Sequence, residues 1–230
     1  MNNIVAIFKK QLKDTLKNMA VLIQFVMFPV MTLIMNNAIK MQDMPENFFV
    51  NLFAAMYIGM APLISIASII SEEKEKNTLR VLIMSNVKPH EYLLGIGSYV
   101  WLACMLGSVV ICAAGGFDLQ TSLAFMGIMA IGILTSLLIG AIIGVWSKTQ
   151  MMATSITVPV MIIFSFVPML SMFNSTIERI AGIIYSEQIS RMLNQINSLQ
   201  LNMENMGVIV ANILIAAVMF IITFKKCRLA

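Results

Sequence analysis

The chain has 230 residues, of which 59% are hydrophobic and only 11% are charged, and its formal net charge is +4. Soluble domains usually carry about 25% charged residues, so the composition excludes a soluble globular fold and makes the bilayer the solvent for most of the apolar surface. The basic residues do not cluster on one soluble face, which argues against nucleic-acid binding, and the three cysteines predict no disulfide framework.

Residues 1–17 predict a basic amphipathic helix that lies in the membrane interface. Apolar side chains recur every four positions in this segment, while four lysines occupy the other faces. The simpler alternative is that the lysines only fix the orientation of the first membrane span. The recurring apolar residues are Ile4, Phe8, Leu12 and Leu16.

Six apolar stretches follow, each close to the ~20 residues that cross a ~30 Å hydrocarbon core. They cover residues 18–38, 48–71, 92–114, 121–146, 151–173 and 206–224. The predicted fold class is therefore all-α: an integral membrane protein with six transmembrane helices, forming one transmembrane domain over residues 1–230. Internal prolines predict kinks at Pro29, Pro62, Pro159 and Pro168. The Gly140-x-x-x-Gly144 spacing, with Ser136 one turn earlier, predicts close helix packing.

The distribution of lysine and arginine predicts that both termini are cytoplasmic. Twelve of the 15 basic residues fall in one set of alternating segments outside the spans, and only Lys40, Arg179 and Arg191 fall in the other set. Cytoplasmic segments of membrane proteins carry the excess of basic residues. The lysine-rich segments are therefore assigned to the cytoplasm.

The longest predicted outer segment, residues 174–205, contains two short helices. Ser175 followed by Glu178 fits a capping box that opens the first one. The second is amphipathic, and we expect both to lie at the outer interface or to dip into it as re-entrant helices. The apolar face of the second helix carries Ile189, Met192, Leu193, Ile196 and Leu199.

The longest predicted cytoplasmic connection, residues 72–91, is also the most charged. Three glutamates precede a short apolar run, and Asn86 and Pro89 are expected to end the helix that this run forms. Leu79, Leu82 and Ile83 share one face of that helix. A merely solvated loop has no need of an apolar centre such as Val81-Leu82-Ile83-Met84. The pattern therefore favours a helix that docks a cytosolic partner.

Several kinds of chemistry are excluded or disfavoured. The sequence has no G-x-x-x-x-G-K-[ST] loop to hold ATP phosphates, and its single histidine, His90, allows no catalytic triad. Almost no charged residue lies deep within a span, which argues against an ion-coupled transporter. Glu72 and Glu73 are reminiscent of double-glutamate intramembrane proteases, but Asn77 stands where those enzymes need arginine.

Residues 71–95 resemble the cytoplasmic loop of ABC-2-type transporter permeases, the membrane subunits of ATP-driven exporters. That family has an E-[RK]-E-x-G-T-L segment, a short apolar helix, a proline or serine region and then E-x-x-L-G. The matching residues are Glu73-Lys74-Glu75-Lys76-Asn77-Thr78-Leu79, Leu82-Ile83-Met84, Lys88-Pro89 and Glu91-Tyr92-Leu93-Leu94-Gly95. The sequence departs from the family pattern at Asn77, at Ile96 and at Tyr185-Ser186, where glycine, lysine and Asn-Pro are usual.

The resemblance implies a transport subunit that is not itself an enzyme. Two permease subunits, identical or different, would face each other. The coupling loop of each, residues 72–91, would contact one of two copies of a cytosolic ABC ATPase, and that ATPase would hold ATP and Mg. This chain would bind no cofactor of its own. The residues that the resemblance assigns to ATPase coupling are Glu73, Glu75, Thr78, Leu79, Leu82, Ile83 and Met84. Those assigned to a substrate path between spans two and five are Asn51, Met56, Met60, Met152, Phe164 and Phe166.

The resemblance further implies a bacterial inner membrane location and export of a hydrophobic or amphipathic cargo, such as a drug, a peptide antibiotic or a lipid-like molecule. A stand-alone six-span channel or facilitator is the main alternative; it predicts no ATPase partner and usually internal repeats, and none is visible. A membrane scaffold or sensor would usually carry a larger soluble domain.

Overall fold

A computed structural model describes residues 3–39, 45, 47–85, 87–196 and 203–227. The described part is all-α, without a strand. Its helices are α1 (Asn3–Lys17), α2 (Met19–Ala38), α3 (Phe48–Glu75), α4 (Thr78–Met84), α5 (Pro89–Gly115), α6 (Leu119–Trp146), α7 (Gln150–Ser171), α8 (Ser175–Ala181), α9 (Tyr185–Asn194) and α10 (Met203–Cys227).

Six of these helices are long and apolar enough to cross a membrane, which confirms the predicted number of spans. They are α2, α3, α5, α6, α7 and α10. Most span boundaries agree with the sequence prediction to within two residues. Larger differences occur in α10, which extends three residues beyond the prediction at each end, to Met203 and Cys227, and in α3 and α5. α3 continues four residues further, to Glu75, and α5 begins at Pro89 rather than near residue 92. The backbone N–H at the first helical position has no partner within the helix, so proline, which lacks this N–H, is well tolerated there. Pro89 therefore begins α5 instead of only ending the previous helix. The four prolines within spans all lie inside continuous helices.

α3 is the central helix of the bundle, with most of its length buried against α6 and α7. The packing depends on glycines at the points of closest approach. A Cβ atom built on Gly59 would lie 2.6 Å from the backbone carbonyl carbon of Phe164 on α7, and one built on Gly140 would lie 2.5 Å from the backbone oxygen of Leu63. Gly144 meets the next turn of α3 at Ala67 in the same way. The predicted G-x-x-x-G packing is confirmed.

The other spans surround α3. α2 and α5 pack against one side of it, α6 follows, and α10 packs against the outer side of α6. α2 and α7 lie on either side of α3 with little direct contact, which leaves a crevice between them. A second gap, between α5 and α10, has α6 as its floor.

α1 packs along the beginning of α5 rather than standing away from the bundle. Its buried residues are Ile7, Gln11 and Thr15, and Ile7 lies directly against Gly95. The predicted apolar face is therefore divided. Ile4 and Phe8 are half-buried beside this inner face, whereas Leu12 and Leu16 are exposed.

α8 and α9 lie at the opposite end of the bundle from α1 and α4. The N-cap of α8 is Asn174, whose side-chain oxygen accepts hydrogen bonds from the backbone of Thr176 and Ile177, so the predicted cap at Ser175 is wrong by one position. The predicted apolar face of α9 is buried from Ile189 to Ile196, and Leu199 lies outside the described residues. The polar face of α9 is buried as well, against α3, α6, α7 and α10.

Candidate functional site

The segment that carries the family-like motif, residues 72–91, forms a sharp turn between two spans. α3 ends at Glu75, and after two turn residues α4 runs from Thr78 to Met84. Asn77 makes the reversal possible because it adopts a left-handed conformation, with φ of 56°, which asparagine tolerates better than most residues. The hydroxyl group of Thr78 donates to the backbone oxygen of Glu73 at 3.1 Å and so ties α4 to the end of α3.

α4 has an inner face and an outer face. Leu79 is 3% exposed, and Leu82 and Ile83 are half-buried against the core. On the outer face, Val81 is 62% exposed and Met84 is 79% exposed. A seven-residue helix cannot be stable in water alone, so the inner face anchors α4 and the outer face presents two apolar side chains at the surface.

Glu73 connects three helices at the base of this turn. Although it is only 6% exposed, its carboxylate pairs with the ammonium group of Lys10 and accepts a 2.7 Å hydrogen bond from the amide of Gln11, both on α1. The buried hydroxyl group of Tyr92, on α5, lies beside the same carboxylate, outside ideal hydrogen-bond geometry. A buried carboxylate is tolerated only with such partners.

The next two charged residues hold the ends of α6 and α7. Lys74 donates to the backbone oxygens of Val145 and Ser147 at the end of α6, with 2.6 Å to the second of these. Glu75 accepts a 2.7 Å hydrogen bond from the first backbone N–H of α7, that of Gln150. Each charge has the sign that complements the dipole of the helix end it contacts. The end of α3 is therefore joined to both neighbouring spans.

Lys76 differs from these residues because it is an exposed side chain that pairs with Glu72 one turn earlier. The hydrogen bond to Glu72 raises the pKa of the Lys76 ammonium group. Exposed pairs of this kind contribute little to stability. The charged segment is thus mostly a set of internal contacts, not the solvated flank of a docking helix.

The structure separates the seven predicted coupling residues into two groups. Glu73, Glu75, Thr78 and Leu79 make contacts within the chain, and Leu82 and Ile83 are partly covered. Met84 is open to a partner, as is Val81, which was not among the predicted residues. Periodicity placed both at the apolar centre of the helix but did not tell which face the bundle would cover. Sequence reasoning gave no signal for Lys10, Gln11 or Gln150, whose partners are more than 60 residues away.

The six predicted path residues do not line one cavity. Asn51 and Met56 are buried in α3, where the amide of Asn51 donates to Asn194 of α9 at 3.2 Å. The ring of Phe164 packs on Tyr185 with 4.9 Å between ring centroids. Met60 and Met152 are half-buried and Phe166 is 41% exposed, and Met152 and Phe166 are about 20 Å apart along α7 at 1.5 Å per residue.

The crevice between α2 and α7 contains a cavity of about 170 Å³ near the lysine-rich end of the bundle. Its lining mixes amide and hydroxyl groups with apolar side chains. Thr157 is 3% exposed, and its hydroxyl group has no hydrogen-bond partner among the residues that the structure describes. The lining residues are Gln24, Ile64, Ser68, Gln150, Ala153, Thr154, Thr157 and Val158.

The opposite end of the bundle is closed by a second polar network. Glu187 of α9 is 2% exposed, and it accepts hydrogen bonds from Arg191 at 2.9 Å and from Ser171 at 2.6 Å. Deeper in the bundle, the hydroxyl groups of Tyr185 and Ser136 are 2.7 Å apart, and Ser136 donates to the backbone of α3. These contacts hold α9 firmly across the end of α3.

The sequence model of one protein family, described as ABC-2 family transporter protein, matches residues 1–225 of the chain. A search among curated proteins finds no match. The family match covers all six spans and the whole of the α3–α4–α5 turn.

Proposed function

The chain belongs to the ABC-2 family of transporter proteins, and from this premise we propose that it is the membrane subunit of an ATP-driven exporter. ATP and Mg belong to a separate cytosolic ATPase in this proposal, and the chain supplies the transmembrane pathway. The lysine-rich end, with α1 and α4, faces the cytoplasm, as the charge distribution favours. A bacterial inner membrane is the proposed location.

The observation that carries this proposal is the outer face of α4. Val81 and Met84 are exposed apolar side chains on a short helix whose position is fixed by a buried inner face. Methionine suits an adaptable protein contact because its side chain is flexible and polarizable. We assign these two residues to the contact with the ATPase.

Motion of the ATPase would pass from α4 into the spans through the charged end of α3. Glu73 connects that end to α1, Lys74 connects it to α6, and Glu75 connects it to α7. A push on α4 therefore acts on four helices together and moves them as a group, as in rigid-body switching. The coupling residues buried within the chain have this transmitting role, and the exposed ones have the docking role.

The cargo path is proposed to lie between two copies of the subunit or between this subunit and a related one. The crevice between α2 and α7 would then face the partner copy. Its amide and hydroxyl groups, including the unpaired hydroxyl of Thr157, stand among apolar side chains. This mixed lining suits an amphipathic cargo. The half-buried Met152 and the exposed Phe166 lie on the opposite side of α7 from this lining, because each residue turns the helix by about 100°.

Co-purification from the native host tests the docking assignment. The detergent-solubilised chain is expected to retain an ABC ATPase, and Val81→Asp/Met84→Asp is expected to lose it. Ile180→Asp/Ile183→Asp is the matched control, because both residues are exposed, at 68% and 76%, but lie at the opposite end of the bundle. If folded wild-type chain retains no ATPase, or if both double variants retain it equally, the assignment fails and a stand-alone channel becomes the better interpretation.

A further inference from the structure

A large apolar groove lies across the bundle from the α2–α7 crevice. α5 and α10 form its walls, and α6, with Ile66 of α3, forms its floor. The groove has a volume of about 800 Å³ and is open along its length to the surroundings of the bundle. Its walls include Leu94, which is 58% exposed, and Trp101 and Phe220, which are partly exposed.

The groove spans the depth of one leaflet. On α5 it runs from His90 to Trp101, and on α6 it runs from Ala141 back to Ala130. Both stretches measure about 16 Å at 1.5 Å per residue, which is about half of a ~30 Å hydrocarbon core. A transmembrane helix of a second copy would need a groove that spans the whole hydrocarbon core, whereas the acyl chain of a lipid spans only one half of that core.

The mouth of the groove is basic. His90 lines it directly, Lys88 lies two residues before His90, and Lys225 follows Phe224 in the last turn of α10. Glu91 follows His90 in the chain and accepts hydrogen bonds from the side chain of Asn3 at 2.9 Å and from the backbone of Lys88 at 3.0 Å. This single carboxylate stands against the two lysines, Lys88 and Lys225. The mouth therefore keeps a net positive charge.

We propose that this groove binds one anionic phospholipid, with an acyl chain between α5 and α10 and the phosphate group at Lys88, His90 and Lys225. Basic pockets between transmembrane helices at the cytoplasmic side are suited to anionic head groups. An apolar slot that ends at mid-membrane, at Trp101 and Ala130, and is basic at its mouth matches the two parts of such a lipid. The inference depends on the membrane location of the chain and not on its transport activity.

The lipid would also affect α4. Lys88 lies four residues after the end of α4, and His90 is the second residue of α5. A phosphate group bound there would hold the connection between α4 and α5. The lipid is thus placed to stabilise the position of α4 relative to the spans.

Fluorescence quenching of Trp101 tests the site in the full-length chain. The protein has two tryptophans, and Trp146→Phe leaves only Trp101, which lines the groove. This variant is reconstituted in phosphatidylcholine vesicles that contain a small, equal mole fraction of either phosphatidylglycerol or phosphatidylcholine with brominated acyl chains. The brominated phosphatidylglycerol is expected to quench Trp101 more strongly. Equal quenching by the two lipids would show only non-selective lipid contact and would overturn the proposal.

Two further variants separate the groove from its mouth. Lys88→Gln/Lys225→Gln is expected to lower the selectivity for phosphatidylglycerol on the order of 25-fold, because each lysine near an anionic lipid contributes about fivefold. Lys148→Gln is the control variant. Gly97→Leu fills the groove, because a Cβ atom at Gly97 meets no neighbour within 4 Å, and Gly127→Leu on α6 is an equally open control. If the selectivity for phosphatidylglycerol persists both in Lys88→Gln/Lys225→Gln and in Gly97→Leu, the anionic lipid binds elsewhere and the proposal is wrong.

Discussion

Replacing Lys74 by methionine would remove the ammonium group that holds the end of α6 while keeping a side chain of similar length. The backbone oxygens of Val145 and Ser147 would lose charged donors, and both residues are fully buried. Hydrogen bonds to charged groups contribute about 1.5–3 kcal/mol each, and the two share one donor. We therefore expect the substitution to cost about 2–4 kcal/mol of folding free energy.

Lys76→Met is the matched control, because Lys76 lies two residues away and its pair with Glu72 is exposed. Such pairs contribute about 0–1 kcal/mol. Thermal unfolding of the purified protein in detergent should show a decrease in Tm on the order of 10 °C for Lys74→Met and a decrease of less than about 4 °C for Lys76→Met, at about 2–4 °C per kcal/mol. Equal decreases for the two variants would refute the clamping role of Lys74.

Three more substitutions test other contacts. Gly59→Leu should prevent close packing of α3 on α7 and abolish a folded peak in gel filtration, whereas Gly97→Leu should leave that peak unchanged; a folded Gly59→Leu protein would contradict the packing. Asn77→Gly should match or exceed wild-type Tm, and Asn77→Val should lose about 1–2 kcal/mol because of its positive φ; equal Tm values would argue against the turn. Arg191→Leu should cost about 3–5 kcal/mol by leaving the buried Glu187 carboxylate without its charge partner, and Arg191→Lys should restore part of that loss; a wild-type Tm for Arg191→Leu would contradict the pairing.

The fold could be predicted from the sequence because the membrane imposes length and hydropathy on each span. All six spans were predicted in this way, whereas the short α4 helix was predicted from its apolar run between the glutamates and Pro89. The helix ends were predicted less closely than the spans themselves. Glu72, Glu73 and Glu75 suggested a loop because carboxylates near a membrane edge are unfavourable without partners. Glu72 pairs locally with Lys76, but the partners of Glu73 and Glu75 lie on α1 and α7, far away in the chain.

The candidate site could be predicted only as a segment. Periodicity placed Leu79, Leu82 and Ile83 on one face of α4, but an apolar face can point to the core or to a partner, and here it points to the core. The path residues were assigned by family layout, and packing decides their exposure. Asn51 is buried by α9, a helix whose polar sequence had suggested a place at the interface.

The glycine contacts of α3 have a consequence for how the subunit can move. Gly59, Gly140 and Gly144 bring backbones so close that not even a methyl group separates α3 from α6 and α7. Close-packed surfaces of this kind resist sliding, so these three spans form one stiff block. The flexible joints of a transport cycle must then lie outside that block, where α2 borders α7, where α10 borders α5, and where one copy of the subunit meets another.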